Sequence, residues 1–240
     1  MDCTKITKLL TIDAPKKDVV FDGVDFTEDG FVKVANANSV TFRNCRVYKL
    51  NTSGAAKNYW LLVNTTDPIR IAVEHCFFGG NPRSAGAVYN LLEPHAILSY
   101  GSLVSQNYFV GDCCTHNAVN IYGAEDGSRL EVDRNVFELS AGTVRIGVKG
   151  EPECLIDVSG NRVLANDPAY TDEDAGIVTV QPFGKSTSTF ANMTVTMDGN
   201  ECPSEQLIYG YYGSADTVLT DDKMPRILVD GAEIKAPIYH

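Results

Sequence analysis

The chain has 240 residues, 44% of them hydrophobic, enough for one sizeable core, and its 20 glycines, 10 prolines and frequent Val, Thr, Asn and Asp favour strands and turns. Acidic side chains number 31 against 20 basic ones, a formal charge of -11 that favours solubility and argues against nucleic acid as a partner. The cysteines number 7, odd and without CxxC spacing, so neither a disulfide framework nor a zinc knuckle is implied, and no cofactor or metal is expected.

In chain order, the opening MDCTKITKLLTIDAPKKD lacks the apolar core of a signal peptide, and no run reaches transmembrane length. Synthesis in a reducing cytoplasm and no membrane partner are therefore expected. Residues 1–18 read as an N-terminal cap. A six-residue pattern then recurs: apolar, any, a turn-compatible residue, a small or Asn/Cys residue, any, apolar. It reads FDGVDF at 21–26, FRNCRV at 42–47, VEHCFF at 73–78 and VSQNYF at 104–109. It continues as VDRNVF at 132–137, VSGNRV at 158–163, MDGNEC at 197–202 and VDGAEI at 229–234. Apolar residues at a fixed separation around a bend predict two short strands meeting at a corner, with both apolar ends inward and the middle residues in left-handed conformations. Alternation in VTF, RIAV, RLEV, MTVTM and RILV beside these hexads agrees with strands. The fourth position includes Asn107, Asn135, Asn161 and Asn200, which predicts a ladder of stacked asparagines.

A period of roughly two to three dozen residues around a strand–corner–strand core fits a stack of coils about 4.8 Å apart, each burying its face against the next. On these hexads the chain resembles the right-handed parallel β-helix, or pectin-lyase-like, superfamily over residues 19–236. The resemblance implies an all-β, single-domain solenoid of about eight coils with loop insertions and a short tail at 237–240. A β-sandwich of regularly spaced hairpins competes, but gives no reason for in-register hexads.

Between hexads the segments 51–68, 79–96, 110–128 and 165–191 read as loops leaving the stack, on the face where binding residues tend to gather. Aromatic side chains concentrate there and in LIYGYYG at 207–213: Tyr59, Trp60, Tyr209, Tyr211 and Tyr212 are the candidate binding residues, with Tyr89 nearby. GDCCTHN at 111–117 looks most like chemistry, yet it follows a hexad and reads as a turn; a metal site of Cys113, Cys114 and His116 would require neighbouring side chains to converge. Cys45 and Cys76 share a hexad position and read as reduced apolar filler. TDEDAG at 171–176 lacks the later ligands of a calcium loop. His75 reads as a corner residue, and His95 lacks an obvious partner.

The catalytic motifs of the polygalacturonase and pectate-lyase branches are not assembled: Asp221-Asp222 is the only adjacent Asp pair and no His-Gly occurs. The resemblance is to noncatalytic bacteriophage virion proteins of this fold. It implies a structural capsid decoration, fibre or tail protein located in the virion. Its expected partners are other virion proteins, further copies of itself, or a host glycan. Two other classes stay open, a polysaccharide-cleaving enzyme drawing on Asp112, Glu125, Asp126, Asp172 and Asp174, and a glycan- or protein-binding surface module.

Overall fold

In a computed structural model the described residues are 3–51, 59–79, 88–94, 96–111, 114–139, 142–148, 150–165, 177–182, 189–203, 207–211 and 219–239. Among them the protein is all-β, with parallel pairing throughout except in one terminal hairpin, and its sole helical element is the short 3-10 turn Asp221–Lys223. No helix among the described residues is long and apolar enough to cross a membrane.

The strands stack in three columns. Column one holds the strand that enters each hexad: the second half of Leu10–Asp22, the second half of Val32–Arg43, then Arg70–Glu74, Leu103–Ser105, Arg129–Asp133, Cys154–Asp157, Met193–Met197 and Arg226–Val229. Column two holds the strand that leaves it, from Lys5–Ile6 and Asp25–Glu28 through Arg46–Leu50, Phe77–Phe78, Tyr108–Gly111 and Val136–Leu139 to Arg162–Ala165. Column three holds the first halves of Leu10–Asp22 and Val32–Arg43, then Tyr59–Val63, Val88–Pro94, Cys114–Ile121, Gly142–Ile146, Val178–Val180 and Ile208–Tyr211. The chain visits column two, column three and column one in turn, so each circuit makes one rung that pairs in parallel with the next. The two long early strands run through columns one and three and join them into one sheet.

The hexads explain why this chain folds so. Their first apolar position stacks in column one, where Phe21 pairs with Phe42, Phe42 with Val73, and Val104 with both Val73 and Val132. Their last stacks in column two, where Phe26, Val47, Phe78, Phe109, Phe137 and Val163 pair successively. Phe78 and Phe109 stack at 4.6 Å and Phe109 and Phe137 at 4.9 Å between ring centroids, all three fully buried. The third hexad position makes the bend: Gly23, Asn44, His75, Gln106, Arg134, Gly160, Gly199 and Gly231 all take positive φ, between 52° and 76°. Three of those residues, His75, Gln106 and Arg134, accept a conformation that glycine takes without steric cost.

Three expectations change. The segments read as loops, 51–68, 79–96, 110–128 and 165–191, each contain a column-three strand, because Leu61, Leu92, Val119 and their neighbours find in-register partners in adjacent rungs. The eighth hexad is not a further corner between parallel strands. Asp230 and Gly231 both have positive φ, the condition for a tight type I′ turn, and Ala232–Ile234 folds back antiparallel onto Arg226–Val229, leaving Ile234 39% exposed. Finally, residues 5–6 and 10–18 of the expected cap form the first rung itself, and Ile238–Tyr239 of the expected tail pairs with Ile208–Tyr211.

Candidate functional site

The asparagine ladder occupies the tight corner between columns one and two, and there each amide reaches back one rung. Asn107 Nδ2 donates to the Val73 carbonyl at 2.8 Å while its Oδ1 accepts the Cys76 N–H at 2.8 Å. Asn135 does the same to Val104 and Asn107, Asn161 to Val132 and Asn135, and Asn200 to Val158 and Asn161, all between 2.7 and 3.0 Å. The amides also bond to one another in series at 3.0, 3.0 and 3.2 Å. Asn135 and Asn161 are 0% exposed, so the ladder satisfies buried backbone groups that the bend would otherwise orphan. It is structural, with no atom left for a ligand.

The aromatic candidates separate. Trp60 is 0% exposed at the centre of the core, edge-on to Phe26, Phe42 and Phe78 at 5.1–5.4 Å, and so is not a surface anchor. Its Nε1 is buried without a hydrogen-bond partner among the described residues. Tyr209 is 2% exposed and packs against Tyr239. Tyr59 and Tyr211 are half-buried, and Tyr212 lies outside the described residues. Burial thus removes Trp60 and Tyr209 from the exposed cluster that the sequence suggested.

GDCCTHN is also corrected in part. Gly111 has φ 67°, but Cys114–Ile121 is a column-three strand with Cys114 buried, where a turn was expected. Asp112 and Cys113 lie outside the described residues, as do His95, Asp172 and Asp174. Cys45 and Cys76 are free and buried. A hydrogen bond with Cys45, followed by burial, pushes the Cys76 thiol up, and burial pushes Cys154 up to about 11, so both stay protonated and unreactive. Among the described residues no group of His, Cys, Asp or Glu is placed to hold a metal ion.

Two surfaces carry the functional interest. The first is the outer face of column two, set by the fifth hexad position, where Asp25, Arg46, Phe77, Tyr108, Val136 and Arg162 pair in succession and Glu201 follows. Phe77 and Tyr108 stand side by side with centroids 6.1 Å apart, and the missing Cβ of Gly79 leaves room for the Phe77 ring. Tyr108 is 37% exposed, and its hydroxyl donates to Glu138 at 2.6 Å, a bond that raises its pKa. Ion pairs close both ends of this apolar band. Arg46 donates twice to Asp25, at 2.7 and 2.6 Å, and Arg162 pairs with Glu201 at 2.8 Å. The hydrogen bonds from Arg46 hold the 2%-exposed Asp25 carboxyl below the usual carboxylate range. These residues fell in a position read as free to vary; since the sixth position points inward, alternation alone places the fifth outside.

The second surface is the corner leading from column three back to column one, where a groove of about 710 Å³ opens. Pro68, Ile97 and Tyr122 form apolar wall, and Glu125, Asp126 and Glu151 supply carboxylates. The wall is tight: a Cβ on Gly123 would sit 2.5 Å from the Ala96 carbonyl oxygen. Asp126 is held by the Glu153 N–H at 3.0 Å. Glu125 and Asp126 were available acids on the sequence; Glu151 joins them only because the sixth rung stacks on the fifth. Comparisons of the chain with family models, with curated proteins and with solved structures gave no match.

Proposed function

We propose that the three columns are the walls of a right-handed parallel β-helix of eight coils, and that the protein is a noncatalytic structural component of a bacteriophage particle, a capsid decoration, fibre or tail protein. The observation that carries this reading is the apolar band of Phe77, Tyr108 and Val136 on the outside of a wall whose inside is a continuous phenylalanine stack. A rigid sheet holds the half-buried Phe77 ring and the exposed Tyr108 ring side by side at little entropic cost, and aromatic rings and arginines are typical anchors of protein contacts. Both arginines already have carboxylate partners, which leaves the exposed Glu138 carboxylate, bonded to the Tyr108 hydroxyl, as the charge beside the rings on a chain of formal charge -11. Its partners are other virion proteins, with no nucleic acid and no membrane.

The test is to look for the protein in purified virions and then replace Tyr108 by Asp. Incorporation of the parent and its loss in a normally folded Tyr108→Asp variant is the expected result. Absence from virions sinks the assignment. The groove favours a second reading, a glycan-binding or polysaccharide-cleaving β-helix protein acting through Glu125, Asp126 and Glu151. Incubation with capsular, O-chain and pectic polymers, read by product size, separates the two. Unshortened chains are expected; shortening abolished by Glu125→Gln would replace the structural reading with the enzymatic one.

A further inference from the structure

The corner that holds the groove runs the length of the stack, and its charge changes sign along it. In the first rung it is Pro15-Lys16-Lys17, all exposed. In the third and fourth rungs it presents exposed Asp67 and Pro68, Ile97 at 42% exposure and Tyr100 at 67%. In the fifth and sixth it presents exposed Glu125, Asp126 and Glu151 around the groove. Lys16, Lys17, Glu125 and Glu151 make no ion pair with the described residues. At a strand spacing of about 4.8 Å, four rungs separate the lysines from Glu125 by about 19 Å.

We propose that this corner is a self-complementary interface at which two copies of the chain lie antiparallel about a two-fold axis near the third rung. Lys16 and Lys17 of each copy then enter the groove of the other, their alkyl stems against Pro68 and Ile97 and their ammonium groups beside Glu125 and Glu151. The charge pattern fixes the orientation: a parallel pairing sets lysine against lysine and carboxylate against carboxylate, whereas the antiparallel one opposes unlike charges twice. Apolar Ile97 and Tyr100 fall near the axis, where the two copies come closest to repeating one another. The contact uses the same patch on both copies, so it closes at two. A narrow corner is a small interface and the chain carries net charge -11, so association is weak and salt-sensitive.

Sedimentation equilibrium of the full chain tests this, at about 0.05 M and about 0.5 M salt, where screening lengths differ severalfold. The variants are Lys16→Glu with Lys17→Glu, and Glu125→Lys with Glu151→Lys, each checked for parental circular dichroism. The parent is expected to form a pair at low salt, with affinity falling about tenfold or more at high salt. Each reversed variant alone is expected to be monomeric, and an equimolar mixture of the two to pair again. A monomeric parent at low salt overturns the proposal, as does growth beyond two copies, persistence of pairs in either variant, or a mixture that stays monomeric. Should a reversed variant misfold, Glu125→Gln with Glu151→Gln serves instead, and undiminished pairing in it is equally fatal.

Discussion

Two of the three corners of this repeat are made by the same chain under opposite constraints. The corner between columns one and two is the same length in seven successive hexads, turns on a single left-handed residue, and over four of them meets its buried polar groups through the asparagine ladder. The corner between columns three and one differs in length and sequence from rung to rung, and it holds the groove, Glu125 and Glu151 without ion pairs to the described residues, and the exposed Ile97 and Tyr100. Where buried N–H and C=O groups must be met by the next rung, the inward positions are constrained and the amides are spent inside the stack. Where the chain leaves the sheet and meets water, each rung varies independently and charge can accumulate.

That contrast can be broken from the inside outwards. The largest effect belongs to Trp60→Ala, which empties the space between three phenylalanine rings and should cost about 3–5 kcal/mol in a urea unfolding titration; a loss under about 1 kcal/mol would contradict its burial. Next is Asn135→Ala in the tight corner, about 1–3 kcal/mol, since it orphans the Asn107 N–H and the Val104 carbonyl together. Asp25→Asn weakens the paired Arg46 and should cost about 1–2 kcal/mol near neutral pH. Because the folded Asp25 pKa is depressed, its contribution is present above the unfolded carboxylate value of about 4 and is lost as pH falls through the folded value. The unfolding midpoint of the parent should therefore fall more steeply below about pH 4 than that of Asp25→Asn. Arg134→Gly is the smallest: relief of left-handed strain opposes the added chain entropy of glycine, and the net change stays within about 0.5 kcal/mol. In the loose corner Glu125→Gln should likewise leave stability within about 0.5 kcal/mol, which sharpens the claim that this corner is free to serve contacts.

The aromatic residues show why some of the site was legible and some was not. Phe77 and Tyr108 occupy the fifth position of adjacent hexads, and alternation from the inward sixth position places both outside. Trp60 sits between NTSGAAKN and NTTDP, turn-rich flanks that conceal a strand five residues long. Its burial follows from pairing of Leu61 with Val32 and Leu92, residues about thirty positions away on either side, and no local pattern carries that information.

The sequence by itself determined the all-β class, the in-register stacking of seven hexads and the asparagine ladder, because those depend on identical positions recurring at a tight corner. Only the tertiary structure decided the third column, the antiparallel fold-back of the eighth hexad, the burial of Trp60 and Tyr209, and the meeting of Glu151 with Glu125 in one groove. The physical reason is the reach of the interactions. A corner is specified by six consecutive residues, whereas a parallel sheet pairs each strand with one a whole rung away, and whatever joins those strands is recorded nowhere in either strand alone.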